Sequence, residues 1–365
     1  MEITVKRETL LRALQMMQGV VESRSSAMPI LQNVLIETDG KKKFRMLGTN
    51  LDISVKGTFE AEVAKAGRVT LSARRIFDIV RELPEADVRM AEEQGQWVRV
   101  TCERSNFRLP GLPPADFPSL PESKGAESHR LPAKTLAEMI KKTMFAISQD
   151  ETRYTYNGVF MESEDGKLRM VATDGHRLAL IERGSDVKLG RGVIVHKKAL
   201  GELVKLLQGA GEEVALALTQ NHILFQVDNA ELSARLIDGE FPKYRQVIPQ
   251  HDGSPIHADR EALVRALRRV SLLSNETRMV KFVFEAGQLT LTTNGSEAGE
   301  AEEVLESDYA GEKLTIGFNS RYCLDVLSIL EEPRVRFELK DSLSPGIITP
   351  EGGEGYTYVV MPMRV

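Results

Sequence analysis

A threefold internal repeat constrains this chain more than any other feature. Three stretches of helical periodicity share one pattern, residues 7–22 (RETLLRALQMMQGVVE), 132–147 (PAKTLAEMIKKTMFAI) and 259–274 (DREALVRALRRVSLLS). Their anchoring leucines, Leu10, Leu136 and Leu263, stand 126 and 127 residues apart. A second helical set, 72–83, 196–207 and 319–330, recurs at steps of 124 and 123. Between the two helices of each repeat lies a polar turn after a short apolar run: Thr49-Asn50, Thr173-Asp174-Gly175 and Thr293-Asn294-Gly295. Phe117-Pro118 and Phe241-Pro242 recur 124 residues apart. One supersecondary plan used three times explains this common order and period. A third of the 365 residues is about 122, an ordinary domain size.

The rest of each repeat reads as short strands. Residues 34–37, 43–47, 168–172, 223–227, 232–236 and 288–292 alternate or run apolar between Gly, Asp and Asn bends. The expected class is therefore α+β: three repeated domains, each with two helices packed on antiparallel sheet. The boundaries fall at 1–125, 126–250 and 251–365, with the Pro-, Gly- and charge-rich segments 121–127 and 249–255 as linkers.

Helical phase places the charge. In 132–147, Leu136, Ile140, Thr143 and Ile147 form one stripe, and Lys134, Lys141 and Lys142 fall opposite. In 259–274, Leu263, Ala266, Leu267 and Val270 form the stripe, and Arg265, Arg268 and Arg269 fall opposite. The six helical segments together carry +7, so the remainder of a chain of net charge −5 carries −12. An acidic chain that collects its cations on one repeated element is suited to present them to a polyanion. No zinc-finger spacing, basic zipper or RRM aromatic box accompanies them, so the expected contact is with phosphates and is sequence-tolerant.

Catalytic signatures are absent from the sequence. The six histidines form no HExxH or other ligand spacing, and neither GxSxG nor GxxxxGK[ST] occurs. The cluster Asp174-Gly175-His176-Arg177 has no nucleophile context. No catalytic residue, metal or cofactor is expected. Two cysteines, Cys102 and Cys323, make no disulfide framework. No apolar run reaches the ~18 residues of a membrane span, and MEITVKRETL lacks the order of a secretory leader, so a cytoplasmic protein without membrane contact is expected.

Two apolar features have no core explanation in this reading. Leu272 falls on the polar side of its helix, with Leu273 near the edge. The chain ends in YTYVVMPMRV, where 356–360 reads as a strand that Pro362 should end, leaving 361–364 to line a surface.

Several segments carry a family resemblance: MPILQNVLI (28–36), LPPADFPSLPE (112–122), SQDETRYTYNGVF (148–160), VATDGHRLAL (171–180), LIDGEFPKYRQVIP (236–249), LLSNE (272–276) and YVVMPMRV (358–365). Over essentially its whole length the chain resembles the bacterial DNA polymerase III beta subunits, the sliding clamps. The resemblance implies a homodimeric ring of six pseudo-equivalent domains. Such a ring encircles double-stranded DNA without reading its sequence. Implied partners are the polymerase III catalytic subunit, the clamp loader, and other polymerases and mismatch-repair proteins bearing short linear motifs.

Carried over residue by residue, the resemblance implies DNA proximity for Arg24, Arg74, Lys141, Gln149, Arg153, Tyr154, Lys198 and Arg269. It implies a peptide pocket of Tyr156, Thr173, Gly175, His176, Arg177, Leu178, Pro242, Gln246, Val247, Val360, Met361, Pro362, Met363 and Arg364. Tyr156 and Gln246 depart from the familiar Leu and Arg there. It implies a seam of Phe107 and Leu109 against Leu272 and Leu273, with Arg104 facing Glu300, Glu302 and Glu303. Two readings from other classes compete: an enzyme with a basic nucleic-acid face, and a monomeric adaptor that binds peptides without encircling DNA.

Overall fold

The computed structural model describes residues 1–22, 28–122, 125–250, 255–295 and 299–365. The chain forms two compact units, Met1–Lys134 with Lys198–Leu236, and Thr135–Lys197 with Ile237–Val365. The middle third of the sequence is thus shared between them. Among the described residues the α-helices are α1 (Arg7–Gln18), α2 (Ala73–Glu82), α3 (Ala133–Met144), α4 (Lys197–Leu207), α5 (Arg260–Ser271) and α6 (Ser320–Ile329).

In the first unit an antiparallel run of eight strands passes from Arg68–Ser72 through Asn33–Asp39, Lys43–Thr49 and Ile53–Glu60 to Ala230–Ile237, His222–Val227, Glu213–Leu218 and Ser128–Pro132. A separate five-stranded sheet ends on Ser105–Pro110. The second unit repeats this plan. Its run passes from Val193–His196 through Gly158–Glu164, Lys167–Thr173 and Arg177–Gly184 to Tyr356–Val360, Gly346–Pro350, Arg334–Glu338 and Ile256–Asp259. A four-stranded sheet ends on Gly299–Glu306. Each expected strand lies within an observed one, and the expected 356–360 strand is matched at both ends.

The helices bury the stripes that their periodicity predicts. α1 buries Leu10, Ala13, Leu14 and Met17 and packs on α2, which buries Ala73, Ile76 and Val80. α5 buries Leu263, Val264, Ala266, Leu267 and Val270 and packs on α6. Each fully buried Leu, Val or Met side chain contributes about 1.5–3 kcal/mol. Side-chain caps fix the starts of the last two helices: Asp259 accepts from the Ala262 amide at 2.7 Å, and Asn319 from the Arg321 amide at 3.0 Å. Thr143 belongs to the buried stripe of α3 because its hydroxyl donates to the Met139 carbonyl at 2.8 Å.

Three expectations need correction. The first helices of the repeats end three or four residues early, so Leu272 and Leu273 lie beyond α5 and not on its polar face. Lys142 is buried, whereas phase put it on the solvent side. Its ammonium pairs with Glu138 at 3.0 Å and Glu332 at 3.6 Å, and lies 5.6 Å from the Tyr356 ring centre. The tail after Pro362 is not free: the Met363 amide donates to the Gly317 carbonyl at 2.8 Å.

Candidate functional site

The polar cluster of the sequence becomes a tight turn between the strands Lys167–Thr173 and Arg177–Gly184. Thr173 Oγ1 accepts from the Gly175 amide at 3.0 Å and donates to the Arg177 carbonyl at 2.6 Å. Asp174 Oδ1 accepts from the amides of His176 at 2.9 Å and Arg177 at 3.1 Å. The turn needs a left-handed residue, and Gly175 supplies φ 91°. A Cβ there would also come within 3.1 Å of the Arg153 guanidinium.

The end of the chain docks against this turn. Val360 pairs with Arg177 in register, and the Met361 amide donates to the His176 carbonyl at 2.9 Å. Leu178 joins a buried cluster with Val171, Leu180, Phe241, Tyr244 and Val359. Phe160 and Phe241 stack at 4.9 Å. That cluster seats the Phe241-Pro242 landmark beside the turn, and the short helix Tyr244–Gln246 follows it and leaves Gln246 and Val247 exposed. On the other side the Arg153 guanidinium lies 4.0 Å from the Tyr156 ring centre and donates to the Asp174 carbonyl at 2.9 Å. Thr173, Gly175, His176, Arg177, Leu178, Val360 and Met361 therefore form one wall; Tyr156 is joined to it through Arg153, Pro242 follows Phe241 of the same cluster, and Met363 is tied to Gly317. Arg364 is exposed at its end.

Arg177 anchors the wall. Its side chain is 7% exposed, yet every polar direction is met: Nε donates to Asp174 at 3.0 Å, Nη1 to Asp325 at 2.6 Å and Nη2 to the Phe145 carbonyl at 2.8 Å. Its guanidinium lies 4.4 Å from the Tyr322 ring centre. Burial works against this charge, but Tyr358, Asp325 and Asp174 hold the Arg177 pKa above the ordinary arginine value. Burial and the Asp174 charge push the Tyr322 phenol up. The ring of His176 stacks beside Tyr322 at 6.5 Å and 19°. His176 is thus a wall residue. Sequence reasoning missed Phe145, Tyr322 and Asp325. The one signal for the last two was their spacing of three on α6, which puts them on one helix face.

The residues expected near DNA are dispersed. Gln149, Tyr154 and Lys198 are exposed, and Arg153 is turned onto the pocket. Arg24 lies outside the described residues. Three of the cations are ion-paired within the chain: Arg74 with Asp78 at 3.9 Å, Lys141 with Glu331 at 3.6 Å, and Arg269 with Glu303 at 2.6 Å. The exposed Arg74 and Lys141 pairs are worth about 0–1 kcal/mol, so a phosphate can compete for those two cations, whereas the two-pronged Arg269–Glu303 pair is firmer.

Of the expected seam residues, Phe107 and Leu109 lie on one edge strand and Leu273 lies beside another. Phe107 and Leu109 are half-buried on one face of the edge strand Ser105–Pro110, and Arg104 is exposed in the turn before it. Leu272 is 80% exposed, and Leu273 lies beside Gly299 at the start of the edge strand Gly299–Glu306. Strand alternation separates the three glutamates expected to act together. Glu300 and Glu302 are exposed, while Glu303 faces the other way and takes both Arg269 nitrogens.

Family models for the DNA polymerase III beta subunit match three successive parts of the chain: the N-terminal domain at residues 1–121, the central domain at 130–243 and the C-terminal domain at 245–364. The chain belongs to the DNA polymerase III beta subunit family. It is 39% identical to the beta sliding clamp of Caulobacter vibrioides and 37% identical to that of Escherichia coli, with all of each chain covered. Among solved structures it is similar to a Pseudomonas aeruginosa DNA polymerase sliding clamp at 36% identity and a TM-score of 0.95, again over the full length of both. Another similar structure, at 37% identity and a TM-score of 0.95, is a P. aeruginosa sliding clamp bound to griselimycin. As a sliding clamp the chain is a non-catalytic processivity subunit of DNA replication. No described helix is long and apolar enough to cross a membrane.

Proposed function

We propose that two copies of this chain close a ring around duplex DNA and that the wall at 173–177 takes short linear peptides from replication partners. The domains of that ring are 1–125, 126–250 and 251–365, and it works in the cytoplasm. Its partners are the polymerase III catalytic subunit, the clamp loader, and other polymerases and mismatch-repair proteins.

The observation that carries the ring is the pair of terminal sheet edges. An unpaired edge with apolar residues is a ready surface for another chain. Phe107 and Leu109 mark one edge, and Leu272 and Leu273 mark the other. Head-to-tail contact between unlike edges closes after two copies under two-fold symmetry. Arg104 faces Glu300 and Glu302 across that contact, and Glu303 is committed to Arg269 within its own chain.

The weak ion pairs on the helices suit this role. Cations already held by carboxylates give loose phosphate contacts that do not read bases. Retention then comes from closure of the ring, and sliding meets little friction. Solution mass tests the stoichiometry: the wild type should sediment near twice 40.7 kDa. Leu272→Ala combined with Leu273→Ala should move it toward the monomer mass at micromolar concentration. An unchanged dimer would reject the seam.

A further inference from the structure

We infer that Asp325, a residue of α6, is a positioning residue for the peptide wall, holding Arg177 and thereby setting His176 and Tyr322 in register for ligand. The inference rests on the pocket reading above and adds a residue to it.

Arg177 makes three kinds of tie. Its bond to Asp174 at 3.0 Å staples the turn to itself, because the two residues are three apart. Its bond to the Phe145 carbonyl at 2.8 Å fixes it to the segment that follows α3. The third tie, to Asp325 at 2.6 Å, reaches α6 across 148 residues of sequence. Among the described residues Asp325 is the α6 carboxylate that meets this guanidinium.

α6 matters because it also carries Tyr322, about one helical turn before Asp325. Tyr322 presents its ring to the Arg177 guanidinium at 4.4 Å and to the His176 ring at 6.5 Å. A second bond orients the same backbone: Tyr358 Oη donates to the Tyr322 carbonyl at 2.9 Å. The Asp325 side chain itself is 32% exposed, so it lies at the rim while Arg177 lies beneath. Losing Asp325 leaves Asp174 to neutralise Arg177 but frees Nη1. The guanidinium can then swing, and the stacked rings lose their common reference.

The test uses the full-length chain with griselimycin, to which a similar sliding clamp is bound, as probe. Asp325→Asn keeps the shape and removes the charge; Asp325→Glu restores the charge on a longer stem. Titration calorimetry should show Asp325→Asn binding about tenfold more weakly, as loss of a charge-assisted bond implies. Asp325→Glu should recover binding to within about threefold of wild type. A ligand-free readout stands beside it: the ring-current shift that Tyr322 imposes on the His176 ring protons should shrink in Asp325→Asn and return in Asp325→Glu. Wild-type affinity together with an unmoved His176 shift in Asp325→Asn would overturn the assignment. A wild-type chain that ignored griselimycin would count against the pocket reading, and the His176 shift would still decide the role of Asp325.

Discussion

The 49–53 turn of the first unit and the 173–177 turn of the second share one hydrogen-bond skeleton. Thr49 Oγ1 accepts from the Leu51 amide at 3.0 Å and donates to the Ile53 carbonyl at 3.2 Å, as Thr173 does for Gly175 and Arg177. Asn50 Oδ1 accepts from the amides of Asp52 and Ile53, as Asp174 does from those of His176 and Arg177. Even the incoming strand matches: the Arg235 amide donates to the Asp52 carbonyl at 2.7 Å, and the Met361 amide to the His176 carbonyl at 2.9 Å.

The side chains differ at every position that faces outward or anchors the turn. Gly175 is Leu51 in the first unit, where a leucine at φ 77° is 51% exposed. Arg177 is replaced by buried Ile53, with no ion-pair network, and Met361-Pro362-Met363 by Arg235-Leu236-Ile237. Repetition therefore copied the turn scaffold, while the side chains we propose for peptide binding stand in the second of these two turns.

The largest expected effect comes from the anchor. Arg177→Ala leaves Asp174 and Asp325 without their shared cation, so binding of a partner peptide at the proposed wall should fall at least a hundredfold and stability by about 3 kcal/mol. The equivalent Ile53→Ala should cost about 2–4 kcal/mol in denaturant melts and leave affinity for that peptide unchanged. Equal ligand effects would break the comparison.

A middle-sized effect comes from exchanging the third turn residue. Gly175→Leu meets both a left-handed backbone and the Arg153 guanidinium, so affinity should drop about tenfold, with a stability loss of about 1–2 kcal/mol. Leu51→Gly relieves backbone strain but adds freedom to the unfolded chain, so stability should stay within about 0.5 kcal/mol of wild type.

The smallest effect sharpens the comparison by showing what the units share. Arg74→Ala in the first unit and Lys141→Ala in the second should each lower the salt slope of DNA binding by about 1, measured by fluorescence anisotropy. A slope lowered by one substitution alone would restrict the basic surface to one unit.

The parts legible in the sequence were those with local physics. Amphipathic period gave the six helices, and turn residues gave the hairpins, because each depends on neighbours three or four positions away. The Thr-Asp-Gly turn stood out as a polar cluster, though only the family resemblance gave it a purpose.

What escaped were the pairings that folding makes between distant segments. Asp325 looks like an ordinary helix-surface acid until Arg177 arrives 148 residues away. Lys142 looks solvated until Glu332 and the Tyr356 ring cover it. Glu303 looks like one of three equivalent acids until strand alternation turns it toward Arg269. Leu272 was misplaced for a smaller reason: periodicity continued past the last hydrogen-bonded turn of α5.

The central claim is topological, and retention on DNA tests it most directly. Loaded onto nicked circular DNA, the protein should stay bound through gel filtration at high salt. It should run off once a restriction enzyme linearises the circle. Equal retention on circular and linear DNA would contradict a closed ring.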